Sequence, residues 1–166
     1  ETTILSAAAG LGIQIPTLCY MKELAPDGSC RMCVVEVDGG RKKGLVTACS
    51  EHCTEGMVIS TRSEKVMEAR RFVLDNHREH CFSCPQNGSC KLQDYCMEYG
   101  VEYTSYDSGK QVNAPKDTSN PFFEYNPELC IMCRRCVRIC EELQCRNVIS
   151  LKDRSFDTII TTAYGR

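Results

Sequence analysis

The sequence predicts a small α+β protein organised around bound metal instead of a large apolar core. Three observations predict it. Fourteen of the 166 residues are cysteine, whereas phenylalanine occurs five times and tryptophan not at all. The cysteines fall into three blocks, and short helix-like and strand-like segments separate them. Many sit in C-x2-C pairs, a spacing that places two sulfurs on one metal centre.

The segments follow in order. "TTILSAAAGLGI" sets threonine caps before apolar Ile4, Leu5, Ala8 and Leu11 and then Gly12, the pattern of a short helix. "RMCVVEVDGGRKKGLVTA" reads as strand, Asp-Gly-Gly turn and strand. "MVIST" is a further short strand. "SEKVMEARRFVLDNH" is the clearest helix: Ser63 caps it, Glu64 suits its positive end, and Val66, Ala69, Phe72 and Val73 form the expected buried stripe. "SCKLQDYCMEYG" is another helix, stopped by Gly100. Residues 101–126 are polar and carry Gly, Pro, Ser and Asp, as a surface linker would. "NVISLKDRSFDTIITTAYG" offers two strands around a turn. The divisions expected are 1–62, 63–100, the linker 101–126, and 127–166.

Composition narrows the function. A net charge of −2 leaves no basic excess for nucleic acid. No apolar stretch is long enough to span a membrane, and no secretory apolar region is visible. Disulfides would need an oxidising compartment, and nothing signals export, so a cytoplasmic metalloprotein is expected. The chain opens at Glu1, as a processed or partial chain would.

Block one is Cys19, Cys30, Cys33 and Cys49, spaced C-x10-C-x2-C-x15-C. A two-iron cluster loop has this logic: one close pair in a loop and a distant fourth cysteine. Gly28 and Ser29 precede Cys30, and such small residues let backbone N–H groups approach cluster sulfurs. Zinc ribbons prefer two C-x2-C-like pairs, and here there is one. Cys53 is left over and reads as a small buried apolar residue; His52 reads as a surface residue.

Block two is "HREHCFSCPQNGSC", with Cys81, Cys84 and Cys90 spaced C-x2-C-x5-C. Three thiolates leave one corner of a four-iron cluster open. His80 adjoins Cys81, and reaching that corner from there would strain the backbone. His77 lies one helical turn earlier, where a histidine is as readily a favourable cation at a helix C-terminus as an iron ligand. Cys96 lies on the following helix, offset from Cys90.

Block three, "CIMCRRCVRIC", is C-x2-C-x2-C-x3-C, the bacterial ferredoxin signature. Cys130, Cys133 and Cys136 should share a four-iron cluster. In two-cluster ferredoxins the fourth cysteine, here Cys140, serves the other cluster. The chain ends at Arg166 without a second set, so either residues beyond it complete the arrangement or Cys140 or Cys145 closes a single cluster. Glu141 stands where the signature usually has proline. Arg134, Arg135 and Arg138 read as solvated helix charges, or less simply as a docking patch for an acidic partner.

Taken together, "TTILSAAAGLGIQIPTLCY", "GSCRMCVVEV", "TACSEHCTEGMVIST", "HREHCFSCPQNGSCKLQDYC" and "CIMCRRCVRICEELQ" resemble one family along nearly the whole chain. It is the iron–sulfur N-terminal region shared by G-type (75 kDa) subunits of complex I, FeFe hydrogenases and NAD(P)-linked formate dehydrogenase alpha subunits. The resemblance implies a partial β-grasp 2Fe–2S ferredoxin domain, a short helical His/Cys segment, and a truncated bacterial-ferredoxin-like 4Fe–4S domain. It implies a 2Fe–2S cluster on Cys19, Cys30, Cys33 and Cys49. It also implies a 4Fe–4S cluster on His77, Cys81, Cys84 and Cys90. The family's first strand pair and its second ferredoxin motif are absent. Complex I subunits commonly lack an equivalent of Cys140, which favours the other two branches; "LQDYC" followed by "EYGVEYTSY" looks most like formate dehydrogenase.

The expected function is therefore an electron relay within an oxidoreductase, with one 2Fe–2S and one or two 4Fe–4S clusters. Its partners would be flavin/NAD(P)-binding and iron–sulfur subunits, or a ferredoxin. Any pterin or hydrogen-activating centre would lie outside the chain. The rivals are a structural zinc protein, a free-standing small ferredoxin, and a thiol redox protein using C-x2-C.

Overall fold

The computed structural model describes residues 2–75, 84–101, 115–154 and 157–162. The chain forms two compact units, Glu1–Ser105 and Tyr106–Arg166.

The first unit is built on a three-stranded antiparallel sheet of β1 (Val34–Asp38), β2 (Gly44–Thr47) and β3 (Val58–Ser60), in the order β2-β1-β3. β1 is central, with Val35 opposite Val46 and Val37 opposite Ile59. Val35 and Val37 point from one face of β1 into the core, as a period of two requires, and meet Ile4, Ala8 and Ile15 there. Ile4 and Ala8 belong to α1 (Ile4–Gly10), whose N-cap Thr3 accepts from the Ser6 N–H. The N–H groups of Ile4 and Leu5 donate to Glu51 and Ala48, which fixes α1 against the chain around Cys49. Leu11, part of the helix's apolar pattern in the sequence, is exposed, because α1 ends before it.

α2 (Glu64–Asp75) starts after Ser63, whose hydroxyl accepts from Val66 N–H. Its buried face is not the expected one. Val66, Arg70 and Leu74 are buried at intervals of four, while Phe72 is 53% exposed. Arg70 takes a core position because its charge is met there. Its Nη2 donates to the Val34 carbonyl at 2.7 Å and its Nη1 to the Tyr99 hydroxyl at 2.9 Å. The guanidinium also lies over the Tyr99 ring, 5.9 Å from its centroid.

Tyr99 follows α3 (Lys91–Glu98). That helix ends in a Schellman pair: Val101 N–H to Cys96 O at 2.9 Å and Gly100 N–H to Met97 O at 3.2 Å. Tyr95, on the same helix, accepts from the Thr17 N–H at 3.3 Å. α3 is thus tied both to the loop leading into Cys19 and, through Arg70, to the residue after Cys33.

In the second unit, a 3₁₀ turn at Pro127–Leu129 precedes α4 (Arg135–Arg138), which runs into a π-helical turn at Ile139–Leu143. β4 (Ile149–Lys152) and β5 (Ile159–Thr162) form an antiparallel hairpin. Half of the expected linker 101–126, residues 102–114, lies outside the described residues. No helix among the described residues is long and apolar enough to cross a membrane.

The swap of Arg70 for Phe72 on the buried face is directly testable. Arg70→Ala leaves the Val34 carbonyl and Tyr99 hydroxyl unpaired, and should cost about 2–4 kcal/mol of stability. Phe72→Ala, at an exposed position, should cost under about 1 kcal/mol. Denaturant unfolding followed by far-ultraviolet circular dichroism compares the two.

Candidate metal centres

Block one is assembled from three places in the first unit. Cys19 lies in the loop tied to Tyr95. Cys30 and Cys33 lie in the turn entering β1, and Cys49 follows β2. Cys19, Cys33 and Cys49 are each 1% exposed, and Cys30 is half-buried. The four sulfurs form two hydrogen-bonded pairs, Cys19 with Cys30 and Cys33 with Cys49. Within each pair one thiol donates and the other accepts. The bond from Cys30 holds the Cys19 thiol at about 5, and the Cys30 thiol is pushed up in turn. The bond from Cys33 holds Cys49 at about 7 and pushes Cys33 up.

Backbone N–H groups converge on the same sulfurs. Cys19 N–H donates to the Cys30 sulfur at 3.4 Å, Met32 N–H also serves Cys30, and Gly28 N–H serves Cys49. Two left-handed residues shape this turn, Gly28 at φ 67° and Arg31 at φ 59°. Gly28 needs its missing side chain as well as its φ. A Cβ there would lie 3.3 Å from Thr47 Oγ1, which is itself bonded to Ser50 Oγ at 2.6 Å. Successive N–H groups aimed inward from such a turn make a concavity that suits anionic sulfur.

The donor set fits a two-iron group. Such a group takes two thiolates on each iron, and two pairs are what the chain supplies. A structural zinc ion instead draws four donors around one point. Among the described residues, no group of three or more His, Cys, Asp or Glu side chains converges on a single ion site.

Block two is described from Cys84 onward; His77 and Cys81, together with His80, lie outside the described residues. Cys84 and Cys90 are half-buried at the two ends of one loop. Gln93, buried on α3, holds that loop in shape. Its Oε1 accepts from Gly88 N–H at 2.7 Å and its Nε2 donates to Asn87 Oδ1 at 2.7 Å. Cys90 is the N-cap residue of α3, at the end where a helix favours negative charge. Cys96 is buried within the first unit, at 1% exposure.

In block three, Cys130 and Cys133 are half-buried and Cys136 is exposed. The three bear on one another electrostatically, and although the residue as a whole is exposed, partial loss of water around its sulfur pushes the Cys136 thiol up. Met132 at φ 53° and Arg134 at φ 60° flank Cys133 in left-handed conformation. Cys140 is buried in the π-helical turn, and its sulfur accepts from Val148 N–H at 3.3 Å. Tyr125, not marked by the sequence reading, lies beside Cys130 and Cys136, and burial pushes its phenol up.

Three side-chain expectations are corrected. Cys53 is exposed, because its N–H is drawn to the Thr2 carbonyl in a surface pairing. Arg138 is no solvated charge: it is buried and its Nε donates to Glu142 Oε1 at 3.0 Å, one helical turn on. Arg134 and Arg135 are half-buried. No disulfide joins the described cysteines.

This arrangement defines an iron–sulfur-binding α+β chain, and comparison with known proteins agrees. Residues 1–64 match the 2Fe-2S iron-sulfur cluster binding domain, and residues 68–105 match the NADH-ubiquinone oxidoreductase-G iron-sulfur binding region. These two matches take in the cysteines of blocks one and two. It is 40% identical over 169 residues to a G-type NADH-quinone oxidoreductase subunit of Rhizobium meliloti, covering 99% of this chain and 20% of that protein. It is 37% identical to the NADP-reducing hydrogenase subunit HndD of Solidesulfovibrio fructosivorans, covering 98% of this chain and 29% of that one. It is 38% identical to the NADPH-Fe(3+) oxidoreductase subunit alpha of Geobacter sulfurreducens, covering 99% and 20%. The chain therefore spans less than a third of the length of these curated relatives. The crystal structure of an NAD+-reducing [NiFe]-hydrogenase in the H2-reduced state superposes with a TM-score of 0.86 at 28% identity, over 99% of this chain and 70% of that one.

Gln93 bonds the loop between Cys84 and Cys90, so it should matter to metal retention. Removing a group that orients ligands typically weakens metal binding about 10–100-fold. Gln93→Leu should accelerate iron release to a chelator by about tenfold or more. An unchanged release rate would confine Gln93 to packing.

Proposed function

We propose that this chain is an electron-relay module of an NAD(P)-linked oxidoreductase, holding one 2Fe–2S and two 4Fe–4S groups. The observation that carries the reading is the pair of thiol pairs in block one, set within converging backbone N–H groups. Cys19, Cys30, Cys33 and Cys49 would hold the 2Fe–2S group. His77, Cys81, Cys84 and Cys90 would hold one 4Fe–4S group. Cys130, Cys133 and Cys136 would hold another, with Cys140 completing it or serving a neighbouring one. The corresponding segments are 1–62, 63–100 and 127–166, with 101–126 as the link.

When bound, such groups supply one-electron oxidation and reduction at potentials set by ligand type, hydrogen bonds to sulfur and water access. The chain's residues do the setting. Gly28, Cys19 and Met32 direct N–H groups at sulfur, the sheet keeps water from Cys33 and Cys49, and a His77 ligand would make one potential respond to pH. Proposed partners are the flavin/NAD(P)-binding and iron–sulfur subunits of a cytoplasmic complex. The named relatives, a NADH-quinone oxidoreductase subunit, a hydrogenase subunit and a NADPH-Fe(3+) oxidoreductase subunit, support that class. The formate dehydrogenase branch is carried by Cys140 and by "LQDYC" with the segment after it.

The test is anaerobic iron and acid-labile sulfide analysis, with EPR of the dithionite-reduced chain and of His77→Cys. Two-iron and four-iron signals are expected, and the variant should alter a four-iron signal alone. Zinc without sulfide would replace the relay with a structural metal protein. Unchanged four-iron signals would return His77 to the role of a helix-end residue.

A further inference from the structure

We propose that Arg70 is the buried counter-cation of the block-one metal group: its guanidinium, held on the Val34 carbonyl one residue from Cys33, favours the form with the added electron and raises that group's reduction potential. This rests on the two-iron reading of block one proposed above, and it names a residue outside every cysteine motif.

The first support is a charge without its opposite. Arg70 is 2% exposed, and Val66 and Leu74, one turn to either side on α2, are fully buried. An arginine stays protonated in proteins, so Arg70 cannot escape burial by shedding its charge. The Val34 carbonyl at 2.7 Å, the Tyr99 hydroxyl at 2.9 Å and the Tyr99 ring all face it. These are dipoles and a π face. They solvate the charge and do not balance it. Among the described residues no Asp or Glu forms an ion pair with Arg70, and its Nε is buried with no hydrogen-bond partner. A buried charge without a counter-charge is strongly destabilising, so the balance must come from something other than a carboxylate.

The second support is place. Val34 opens β1 directly after Cys33, and in the ladder it lies opposite Thr47. Cys49 follows Thr47 by two residues, and the Ala48 N–H between them donates to the Cys33 carbonyl at 3.0 Å. The carbonyl that Arg70 holds therefore sits where the two strands deliver Cys33 and Cys49, the paired and sealed thiols of block one. Neighbouring Cα atoms are about 3.8 Å apart, so the guanidinium is bonded within one peptide unit of a metal ligand. Cys33, Val34 and Cys49 are all buried, and between buried groups salt and water screen little.

The third support is sign. Four thiolates and two bridging sulfides outweigh the charge of two ferric irons, so a two-iron group is an anion. The added electron turns one iron ferrous and makes the anion stronger; no bond forms and no proton moves. A fixed cation beside it stabilises the reduced form more than the oxidised form, and the potential rises.

The experiment uses the reconstituted chain, with dithionite as the electron source and the two-iron EPR signal followed against potential. Arg70→Gln removes the charge and keeps an N–H donor for the Val34 carbonyl. Arg70→Lys keeps the charge and loses the planar fork. Arg70→Gln should shift the two-iron midpoint to a more negative potential, and Arg70→Lys should stay closer to the wild type than to Arg70→Gln. A residue that merely held the strand in shape would reverse that order or move neither. No shift in Arg70→Gln, or a shift at least half as large in Arg70→Lys, overturns the proposal. If Arg70→Gln loses iron from this block, Arg70→Lys decides: retained iron upholds the proposal, and loss there too overturns it. A wild-type chain with no two-iron signal sinks the reading of block one and this proposal with it. A two-iron signal that ignores Arg70→Gln sinks the role of Arg70 alone.

Discussion

Sulfurs that carry negative charge repel one another, and bringing several together in a partly buried place requires fixed donors to meet them. The rest of this chain depends on that constraint. In the first unit the donors are backbone N–H groups, held inward by Gly28 and Arg31 in left-handed conformation. The sheet, α1 and α3 exist, in effect, to keep that turn from relaxing. α1 bonds to Ala48 and Glu51 on either side of Cys49. α3 reaches the Cys19 loop through Tyr95 and the start of β1 through Tyr99 and Arg70. Loosening any of these would let the donors turn away, and the sulfurs would then meet one another unscreened.

Much of the framework was legible in the sequence because its signals are local. Thr3, Ser63 and Gly100 mark helix ends, and each makes the backbone bond that such a residue makes. The Asp-Gly-Gly turn and alternating valines mark the β1–β2 hairpin. The spacing of block one marked a loop pair with two outlying cysteines, and the structure pairs each outlying cysteine with one of the loop, Cys19 with Cys30 and Cys49 with Cys33. Composition pointed to bound metal, and the spacing of one residue type, with the resemblance it carries, pointed to iron–sulfur groups.

What escaped the sequence reading depends on distant partners. Arg70 was left out of the expected buried stripe, because hydrophobic periodicity gives arginine no credit for a buried acceptor. Yet it stands four residues from both Val66 and Leu74, and that spacing was a usable clue. Cys53 looked buried because free cysteine usually is, but the chain there runs along the surface to pair with Thr2. Gln93 and Tyr125 belong to no ligand motif; their bonds depend on what a loop six residues back, or a strand 35 residues on, presents to them.

Water reaches the described cysteines unequally. Cys19, Cys33 and Cys49 are sealed at 1% exposure, whereas Cys136 faces solvent. Oxygen and chelators attack sulfur and iron where they can touch them, so damage to the proposed relay would begin in the second unit and arrive last at the sheet. The molecule would wear unevenly. Its sealed centre would outlast several rounds of loss and replacement at the exposed one, so the lifetime of the chain as a working conductor would be set by how quickly the exposed site is refilled.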